Sequence, residues 1–171
     1  MSRTRVGDVK FKRRRRLLGS WVPTKYSVIR SMLQLANITS EDVVYDLGCG
    51  DGRILIMAVK DFGAKRGIGY ELRIEQYNDA LDKIKKEDLQ NKITIHNEDM
   101  FTADLHDASV IMLYTGGKAN QLLRPIIEKK TQPGVRIVSH QFKIYSWKIE
   151  DEQNTSHDSD IQIFLYRLPQ K

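Results

Sequence analysis

The sequence predicts an α/β fold in which a doubly wound, mostly parallel sheet ends in an antiparallel hairpin. Two observations support this prediction. Short apolar runs alternate with amphipathic stretches up to residue 142, a pattern typical of a parallel sheet covered by helices on both faces. Beyond residue 142, two alternating stretches follow each other with no helix between them, which indicates a pair of antiparallel strands.

The strands and helices alternate from the first helix onwards. Apolar residues at helical spacing predict a helix that starts after Thr24 or Ser27, either of which could be its N-cap. Pro125 is expected to bend or shorten the last helix, because proline lacks a backbone N–H. Strands are predicted at 42–48, 65–72, 92–99, 108–114 and 134–142, and helices at 24–36, 52–63, 73–90 and 119–129.

The C-terminal hairpin is predicted from residues 143–149 and 161–168, which both alternate between apolar and polar side chains. Between them lies the polar stretch 150–160, which contains five carboxylates. Its simplest interpretation is a solvated hairpin tip. Alternatively, its charge could steer cationic substrates towards the protein at low salt.

Composition narrows the class of protein. A chain of 171 residues with 40% hydrophobic content suits a single domain, which we place at residues 21–171. No apolar run approaches the roughly 18 residues of a membrane span, and no signal peptide is recognisable. One cysteine excludes an internal disulfide, and the four histidines lack metal-ligand spacing. We therefore expect a cytoplasmic, metal-free monomer.

Positive charge is concentrated at the N-terminus. Residues 1–16 hold eight Lys or Arg and one acid, whereas the other residues carry a net charge of −1. We expect residues 1–20 to form a disordered basic tail, as blocks of like charge usually do. The alternative is an arm that binds nucleic-acid phosphates through Lys10–Arg16 without sequence preference.

A glycine loop, DLGCGDGR, follows the first predicted strand. Gly48 and Gly50 match the first two positions of the dinucleotide-binding fingerprint, but Arg53 occupies the position of its third glycine. The carboxylates of Asp46 and Asp51 would repel a pyrophosphate, and no Gly-Lys-Ser/Thr follows that would make a P-loop. The loop therefore indicates a ligand with a cationic part and no phosphate.

S-adenosylmethionine fits this requirement, since it carries a sulfonium and an α-ammonium. Its ribose calls for an acid at the end of the second strand, where Glu71 stands. Asp99 ends the third strand and could accept a hydrogen bond from the adenine amino group, while Met100 packs on the ring. Cys49 belongs to the glycine loop, where its side chain is expected to be a small filler.

Three motifs, VVYDLGCGDGR, GYEL and NEDM, resemble those of the class I methyltransferases, which have a Rossmann-like seven-strand sheet. This resemblance covers residues 40–168. The segments WVPTKYSVIRSML and GVRIVSHQFKIYSW further resemble a family of protein lysine methyltransferases, which includes archaeal broad-specificity enzymes and mitochondrial enzymes with a membrane anchor. Location and substrate are not carried over, because this chain has the basic tail instead of that anchor.

The resemblance implies methyl transfer to lysine amines through a channel at the carboxyl edge of the sheet. Tyr114 ends the fourth strand, where nucleic-acid amino methyltransferases have an Asn/Asp-Pro-Pro-aromatic motif that is absent here. A lid over the cofactor could come from Pro23 and Thr24; alternatively, Thr24 only caps the first helix. The expected channel residues are Tyr114, His140, Phe142 and Trp147, although His140 could equally be a structural hydrogen-bond donor and Trp147 a core residue.

Two rival functions remain open at this point. One is a methyltransferase that acts on RNA or on a small molecule, because the arginine run could bind RNA and one fold serves many substrates. The other is a catalytically idle nucleic-acid-binding module that has kept the fold. The intact set of Asp46, Gly48, Gly50, Glu71 and Asp99 argues against the idle module.

Overall fold

The computed structural model of the protein describes residues 22–155 and 158–168. The predicted basic tail and its nucleic-acid contact, Lys10–Arg16, lie outside the described residues. Within the described ranges, the helices are α1 (Tyr26–Leu35), α2 (Arg53–Lys60), α3 (Ile74–Lys86) and α4 (Gly117–Lys130), with a short 3₁₀ turn at Met100–Thr102.

One sheet contains the strands of the described chain, in the order β3-β2-β1-β4-β5-β7-β6. The pairs from β3 to β5 are parallel, and those of β5 with β7 and of β7 with β6 are antiparallel. The predicted fold is therefore confirmed. The strands are β1 (Val43–Leu47), β2 (Arg66–Tyr70), β3 (Ile93–His96), β4 (Val110–Leu113), β5 (Arg136–His140), β6 (Asp151–Thr155) and β7 (Asp158–Arg167).

Two apolar clusters cover the two faces of the sheet. Buried residues of α1, α2 and α3 pack on one face, where Met32 and Leu55 are fully buried. Leu123 and Ile127 of α4 pack on the other face with the apolar residues around the 3₁₀ turn. Strands β1 and β4 lie in the middle of the sheet and are buried along their whole length, as expected where helices cover both faces.

The predicted C-terminal hairpin is wrong in its first strand. Residues 143–149 form no strand, and β6 lies instead in the polar stretch that was expected to be a solvated tip. The alternation in 143–149 has another cause, because Ile144 is buried and its backbone N–H donates to the Tyr166 hydroxyl. Strand β6 is at the sheet edge with four exposed side chains, so it lacks an apolar pattern.

Two local predictions on the helices are also corrected. Helix α4 continues through Pro125 and is longer than predicted, since it runs from Gly117 to Lys130. Pro125 is exposed, so its ring does not disturb the packing of the buried face. At the start of α1, the N-cap is Lys25, and neither Thr24 nor Ser27 caps the helix.

Candidate active site

The glycine loop connects β1 to α2 and folds back on the end of β2. Its three glycines all have positive φ, a conformation that a side chain disfavours. The backbone N–H groups of Gly48 and Cys49 donate to the Tyr70 carbonyl at 2.9 and 3.0 Å. The N–H of Gly50 donates to Glu71 Oε2 at 2.9 Å. These N–H groups are therefore engaged with β2, whereas a phosphate-binding loop would leave them free for the ligand.

A cleft of about 320 Å³ opens at the carboxyl edge of the sheet, beside this loop. It extends from the ends of β2 and β3, past β1, to the segments that follow β4 and β5. We call the part at β1, β2 and β3 the cofactor half, and the part after β4 and β5 the acceptor half. The cofactor half is lined by Asp46, Gly48, Cys49, Tyr70, Glu71, Arg73, Glu98, Asp99 and Met100, and the acceptor half by Tyr114, Thr115, Gly116 and Phe142.

Asp46 is the most perturbed acid in the cleft. Its side chain is buried, and among the described residues its Oδ2 atom has no hydrogen-bond partner. Burial, together with the nearby charges of Glu71 and Asp51, raises the pKa of Asp46 to about 8. The unpartnered oxygen is free to bind a cation, and a bound cation would in turn favour the ionised form of Asp46.

Glu71 supports both the loop and the cleft. It is buried, and its two oxygens accept hydrogen bonds from the N–H groups of Gly50 at 2.9 Å and Arg73 at 2.8 Å. The Arg73 guanidinium lies 3.8 Å from the same carboxylate. A carboxylate has about four acceptor sites, so Glu71 can still accept hydrogen bonds from a ligand.

Asp99 and Met100 stand at the outer end of the cofactor half. Asp99 Oδ1 accepts a hydrogen bond from the N–H of Phe101 at 3.1 Å and so caps the 3₁₀ turn. It also lines the cleft, with one carboxylate oxygen not used by this cap. Met100 is half-buried and contributes an apolar surface beside it.

Cys49 contributes shape to the site. A Cβ atom added at Gly69 would lie 2.6 Å from Cys49 Sγ, so the cysteine side chain packs where residue 69 has none. Burial raises the pKa of the Cys49 thiol well above its usual range, which makes it a poor nucleophile. This packing agrees with the expected role of a small filler.

A cluster of charged residues holds the N-terminal segment over the cleft. Burial opposes the ionisation of Asp51, but hydrogen bonds from Arg53 and Lys83 lower its pKa to about 2. The Arg53 NH1 group also donates to the Thr24 carbonyl at 3.1 Å, and its guanidinium lies over the Tyr26 ring. Thr24 is buried here and lines the cleft. The exposed residues Val22 and Pro23 also line it.

Aromatic side chains shape the acceptor half. The Tyr114 ring lies 3.9 Å from the His140 ring and 6.3 Å from the Phe142 ring, measured between centroids. His140 is buried behind Tyr114, and neither of its ring nitrogens has a hydrogen-bond partner among the described residues. Burial lowers the pKa of His140 to about 4, so this ring is neutral at physiological pH.

Most of the predicted site residues line this one cleft. Gly50 and His140 do not line it, although Gly50 is bonded to Glu71 and the His140 ring lies against the Tyr114 ring, and both of these neighbours do. Trp147 lies elsewhere: its indole N–H donates to Glu128 and its ring packs near Tyr166. The predicted residues that line the cleft are Pro23, Thr24, Asp46, Gly48, Cys49, Glu71, Asp99, Met100, Tyr114 and Phe142.

Several cleft residues were not predicted. Glu98 lies one position before Asp99, and Arg73 two positions after Glu71, so the strand-end motifs could have indicated both. Thr115 and Gly116 follow Tyr114 directly.

Among the described residues, no group of three or more His, Cys, Asp or Glu side chains could hold a metal ion. In this part of the chain, no helix has the length and apolar character needed to cross a membrane.

Comparison with known proteins identifies the family. The family model of the ANTKMT methyltransferase domain matches residues 46–151, which include the glycine loop and the acceptor half. A protein-lysine N-methyltransferase of Saccharolobus islandicus (strain REY15A) is 39% identical over 152 residues, which cover 85% of this chain and 91% of the relative. The chain belongs to the ANTKMT methyltransferase family. The resemblance stated from the sequence motifs is thus confirmed.

Other relatives of this methyltransferase differ in their described substrates. The adenine nucleotide translocase lysine N-methyltransferase of Mus musculus is 27% identical over 103 residues, 60% of this chain and 44% of that protein. An RNA methyltransferase from Salinibacter ruber, solved with S-adenosyl-L-homocysteine, superposes with a TM-score of 0.83 at 34% identity and covers 88% of this chain and 95% of that chain. A B. subtilis tRNA methyltransferase, with a TM-score of 0.68 and 16% identity, shows the fold alone.

The methyltransferase is a class I enzyme, and its methyl donor is S-adenosylmethionine, as the sequence predicts. The cofactor half fits this molecule. The unpartnered oxygen of Asp46 suits its α-ammonium, and Glu71 has acceptor capacity for the two ribose hydroxyls. The roles of the individual side chains stay predictions.

Proposed function

We propose that the protein transfers methyl groups from S-adenosylmethionine to the side-chain amines of lysine residues in proteins. The observation that carries this proposal is the charge of the cleft. Within the described residues the acids of the cleft outnumber its cations even though Asp46, with a pKa of about 8, is mostly protonated at neutral pH, and both cations, Arg53 and Arg73, are paired with acids. These acids lie outside the acceptor half, so their effect is a negative field over the whole cleft, which attracts cations such as a lysine ammonium and repels a phosphate backbone. The acids concerned are Asp46, Asp51, Glu71, Glu98 and Asp99.

Binding and orientation are the main tasks of the cofactor half. When bound, S-adenosylmethionine supplies a methyl group on a positively charged sulfur. We assign Asp46 to the α-ammonium, Glu71 to the ribose, and Asp99 with Met100 to the adenine. Gly48 leaves room for the ligand, because a Cβ at this position would lie in the cleft, 3.3 Å from Thr115 Cγ2 and 3.8 Å from Met100 Sδ. Pro23 and Thr24 exclude water from above, held by Arg53.

The acceptor half has to deliver a neutral amine. A lysine ammonium has a pKa near 10.4, and desolvation beside the Tyr114 and Phe142 rings would lower that value. His140 has a pKa of about 4, which makes it a weak base for such an ammonium. We therefore assign His140 a supporting role behind Tyr114 and expect the lysine to lose its proton to water.

The relatives support a lysine acceptor. The archaeal relative, whose similarity covers most of both chains, is a protein-lysine N-methyltransferase, and the name of the mouse relative also describes a lysine N-methyltransferase.

One observation favours a second candidate, methylation of RNA. The Salinibacter neighbour is described as an RNA methyltransferase, and this chain has an arginine run within residues 10–16.

Radiolabelled cofactor distinguishes these candidates. The protein is incubated with labelled S-adenosylmethionine and a cell extract, and portions are then treated with protease or with nuclease. Label that protease releases and nuclease does not supports lysine methylation, and acid hydrolysis should then yield methylated lysine. Nuclease-sensitive label would replace the proposal with the RNA candidate. A protein that transfers no label but binds nucleic acid would be the idle module.

The basic tail is proposed to add a weak, non-specific contact with nucleic acid through Lys10–Arg16. A charge of +7 in residues 1–16 supports this, because neutralising phosphates releases counterions. Deleting residues 2–16 should leave methylation of a short lysine peptide intact and lower nucleic-acid affinity together with its salt dependence. A cytoplasmic location and a monomeric state remain predictions from the sequence, and size-exclusion chromatography with light scattering checks the latter.

A further inference from the structure

A buried asparagine connects the two walls of the acceptor half. Asn120 lies in the first turns of α4 and is almost completely buried. Its Oδ1 atom accepts a hydrogen bond from the Thr115 hydroxyl at 2.8 Å. Its Nδ2 group donates to Ser139 Oγ at 2.9 Å and to the Phe142 carbonyl at 3.0 Å. One side chain thus joins the turn after β4, the end of β5 and the segment after β5.

The segment after β5 has a strained backbone at this point. Gln141 has a φ of +66°, which residues other than glycine rarely adopt. The Phe142 N–H donates to the His140 carbonyl at 2.8 Å and closes the turn. The Gln141 N–H donates to the backbone carbonyl of Gln162 at 2.7 Å and ties the turn to β7. Strain of this kind persists only where the surroundings hold it in place.

Two side-chain hydrogen bonds fix the Phe142 carbonyl and so hold this strained turn in place. It accepts hydrogen bonds from Asn120 Nδ2 and from Ser139 Oγ, the latter at 2.6 Å. The Phe142 side chain is 37% exposed, so its own packing does little to fix the ring in the cleft. Thr115, on the opposite wall, is joined to the same amide. The position of one wall relative to the other therefore depends on Asn120.

We propose that Asn120 is a positioning residue for methyl transfer, which sets the distance between the Thr115 and Phe142 walls of the acceptor half. This inference rests on the proposed function, because it assumes that the acceptor amine passes between these walls. Asn120 itself does not line the cleft, and its partners all belong to the segments around β4 and β5. Its loss should therefore impair turnover and leave cofactor binding unchanged.

The test compares Asn120→Ala with a control at the other end of α4. Thr131 is also buried, and its hydroxyl donates to the Ile127 carbonyl at 2.8 Å, far from the cleft walls. Thr131→Val removes a buried hydrogen bond from the same helix without loosening the acceptor half. For each protein, turnover and KM on a lysine peptide, cofactor Kd by calorimetry and the thermal unfolding midpoint are measured, with kinetics taken well below that midpoint.

Asn120→Ala is expected to lower kcat by roughly 10- to 100-fold, because a misplacement of about 1 Å can have an effect of that size. Its cofactor Kd should stay within about twofold, and Thr131→Val should keep kcat within about twofold at a comparable loss of stability. Wild-type kcat in folded Asn120→Ala would overturn the proposal. So would a parallel loss of cofactor affinity, since that would indicate a general structural defect.

Thr115→Val provides a second test, which decides the matter if Asn120→Ala does not fold. It removes one hydrogen bond of the network and keeps the side-chain shape, so we expect a roughly three- to tenfold loss of kcat with cofactor Kd unchanged. An unchanged kcat contradicts the proposal. Failure of the proposed function shows separately, as a wild type that labels RNA and not the peptide. In that case, kcat and cofactor Kd of the wild type, Asn120→Ala and Thr131→Val are compared with RNA as the substrate, and the same outcomes decide the role of Asn120.

Discussion

The two halves of the cleft are built by different means. In the cofactor half, neighbouring parallel strands fix the acids through backbone hydrogen bonds: the N–H of Glu71 donates to the His96 carbonyl, and the glycine loop donates to Tyr70. In the acceptor half, the side chain of Asn120 joins the walls through hydrogen bonds to Thr115 and to the Phe142 carbonyl, next to the strained turn at Gln141. Substitutions of side chains should therefore alter the acceptor walls more readily than the backbone contacts that hold the acids of the cofactor half.

The largest expected effect concerns the boundary of the acceptor half. Trp147→Ala should lower the free energy of unfolding by roughly 3 kcal/mol, since the ring packs near Tyr166 and its N–H is bonded to Glu128. Turnover per folded molecule should stay unchanged, as Trp147 lies outside the cleft. Chemical denaturation and peptide kinetics check both points. The control, Tyr145→Ala, removes an aromatic side chain of the same segment that is 71% exposed and should be nearly neutral.

A stable Trp147→Ala protein with low kcat would contradict this expectation. The acceptor half would then extend along the segment after β5 as far as Trp147, in agreement with the channel that the sequence predicts. The boundary between a catalytic wall and a packed core would move by several residues.

The second effect concerns the cofactor half. Glu71→Ala should weaken S-adenosylmethionine binding by about 1.5–3 kcal/mol, because it removes hydrogen bonds to a charged acceptor and leaves the Gly50 N–H unpaired. Glu98→Gln is the control: this residue lines the same cleft but is exposed, so its change should matter much less. Calorimetry measures both. Equal affinities in wild type and Glu71→Ala would remove the ribose assignment.

The third effect is a pH dependence of cofactor affinity, which arises from Asp46 in the cofactor half. Ionised Asp46 is the form that attracts an ammonium, and its pKa of about 8 means that affinity should rise with pH by up to about 1.4 kcal/mol per unit below that value. The cofactor's own amine loses its proton near pH 8, so titrations should run from about pH 6 to 7.5. Asp46→Asn should abolish the slope.

The same shift has a second consequence for the cofactor-free protein. Below about pH 4, Asp46 is protonated both in the folded and in the unfolded chain. Between about pH 4 and 8 the unfolded chain releases this proton and the folded chain keeps it, so stability should fall as pH rises through that window. Asp46→Asn should lose this trend in urea denaturation. A wild type whose stability does not fall more steeply than that of Asp46→Asn would show that the buried carboxyl ionises normally.

The smallest effect concerns the segment that covers the cleft. Arg53→Gln should release the Thr24 carbonyl and weaken cofactor binding by about 1 kcal/mol, mostly through faster dissociation. Lys83→Gln is the matched control, because it removes the other cation bound to Asp51 and leaves Thr24 in place. Stopped-flow dissociation rates compare the two variants. Equal rates would mean that Arg53 does not hold the cover.

The cofactor half was predictable because its signals are local. An acid at the end of a strand and a glycine loop before a helix are read within a few residues, as Asp46 and Glu71 illustrate. The alternation of strands and helices likewise predicted the parallel part of the sheet, since buried central strands are short apolar runs. Both signals can be read within a few residues of sequence, although the contact between Gly50 and Glu71 joins two strands.

The acceptor half could not be predicted in the same way. Asn120 meets Ser139 and Phe142 across about twenty residues of sequence, and no spacing rule indicates such a contact. The resemblance to the lysine methyltransferase family makes Trp147 a candidate for the channel, with a core position as the alternative, and in the structure its indole N–H donates to Glu128 of α4, outside the cleft. Packing between distant segments decided both cases.

The sequence of β6 is expected to disfavour pairing of this edge strand with a second molecule. Among the described residues it pairs with β7 on one side and with no strand on the other, and an open edge of this kind can accept a strand from a second molecule. Asp151 and Glu152 place two like charges on this edge, followed by the polar Gln153 and Asn154. A second copy aligned there would bring carboxylates together. We expect the same polar sequence that concealed β6 from prediction to keep this exposed edge solvated and to disfavour aggregation through it.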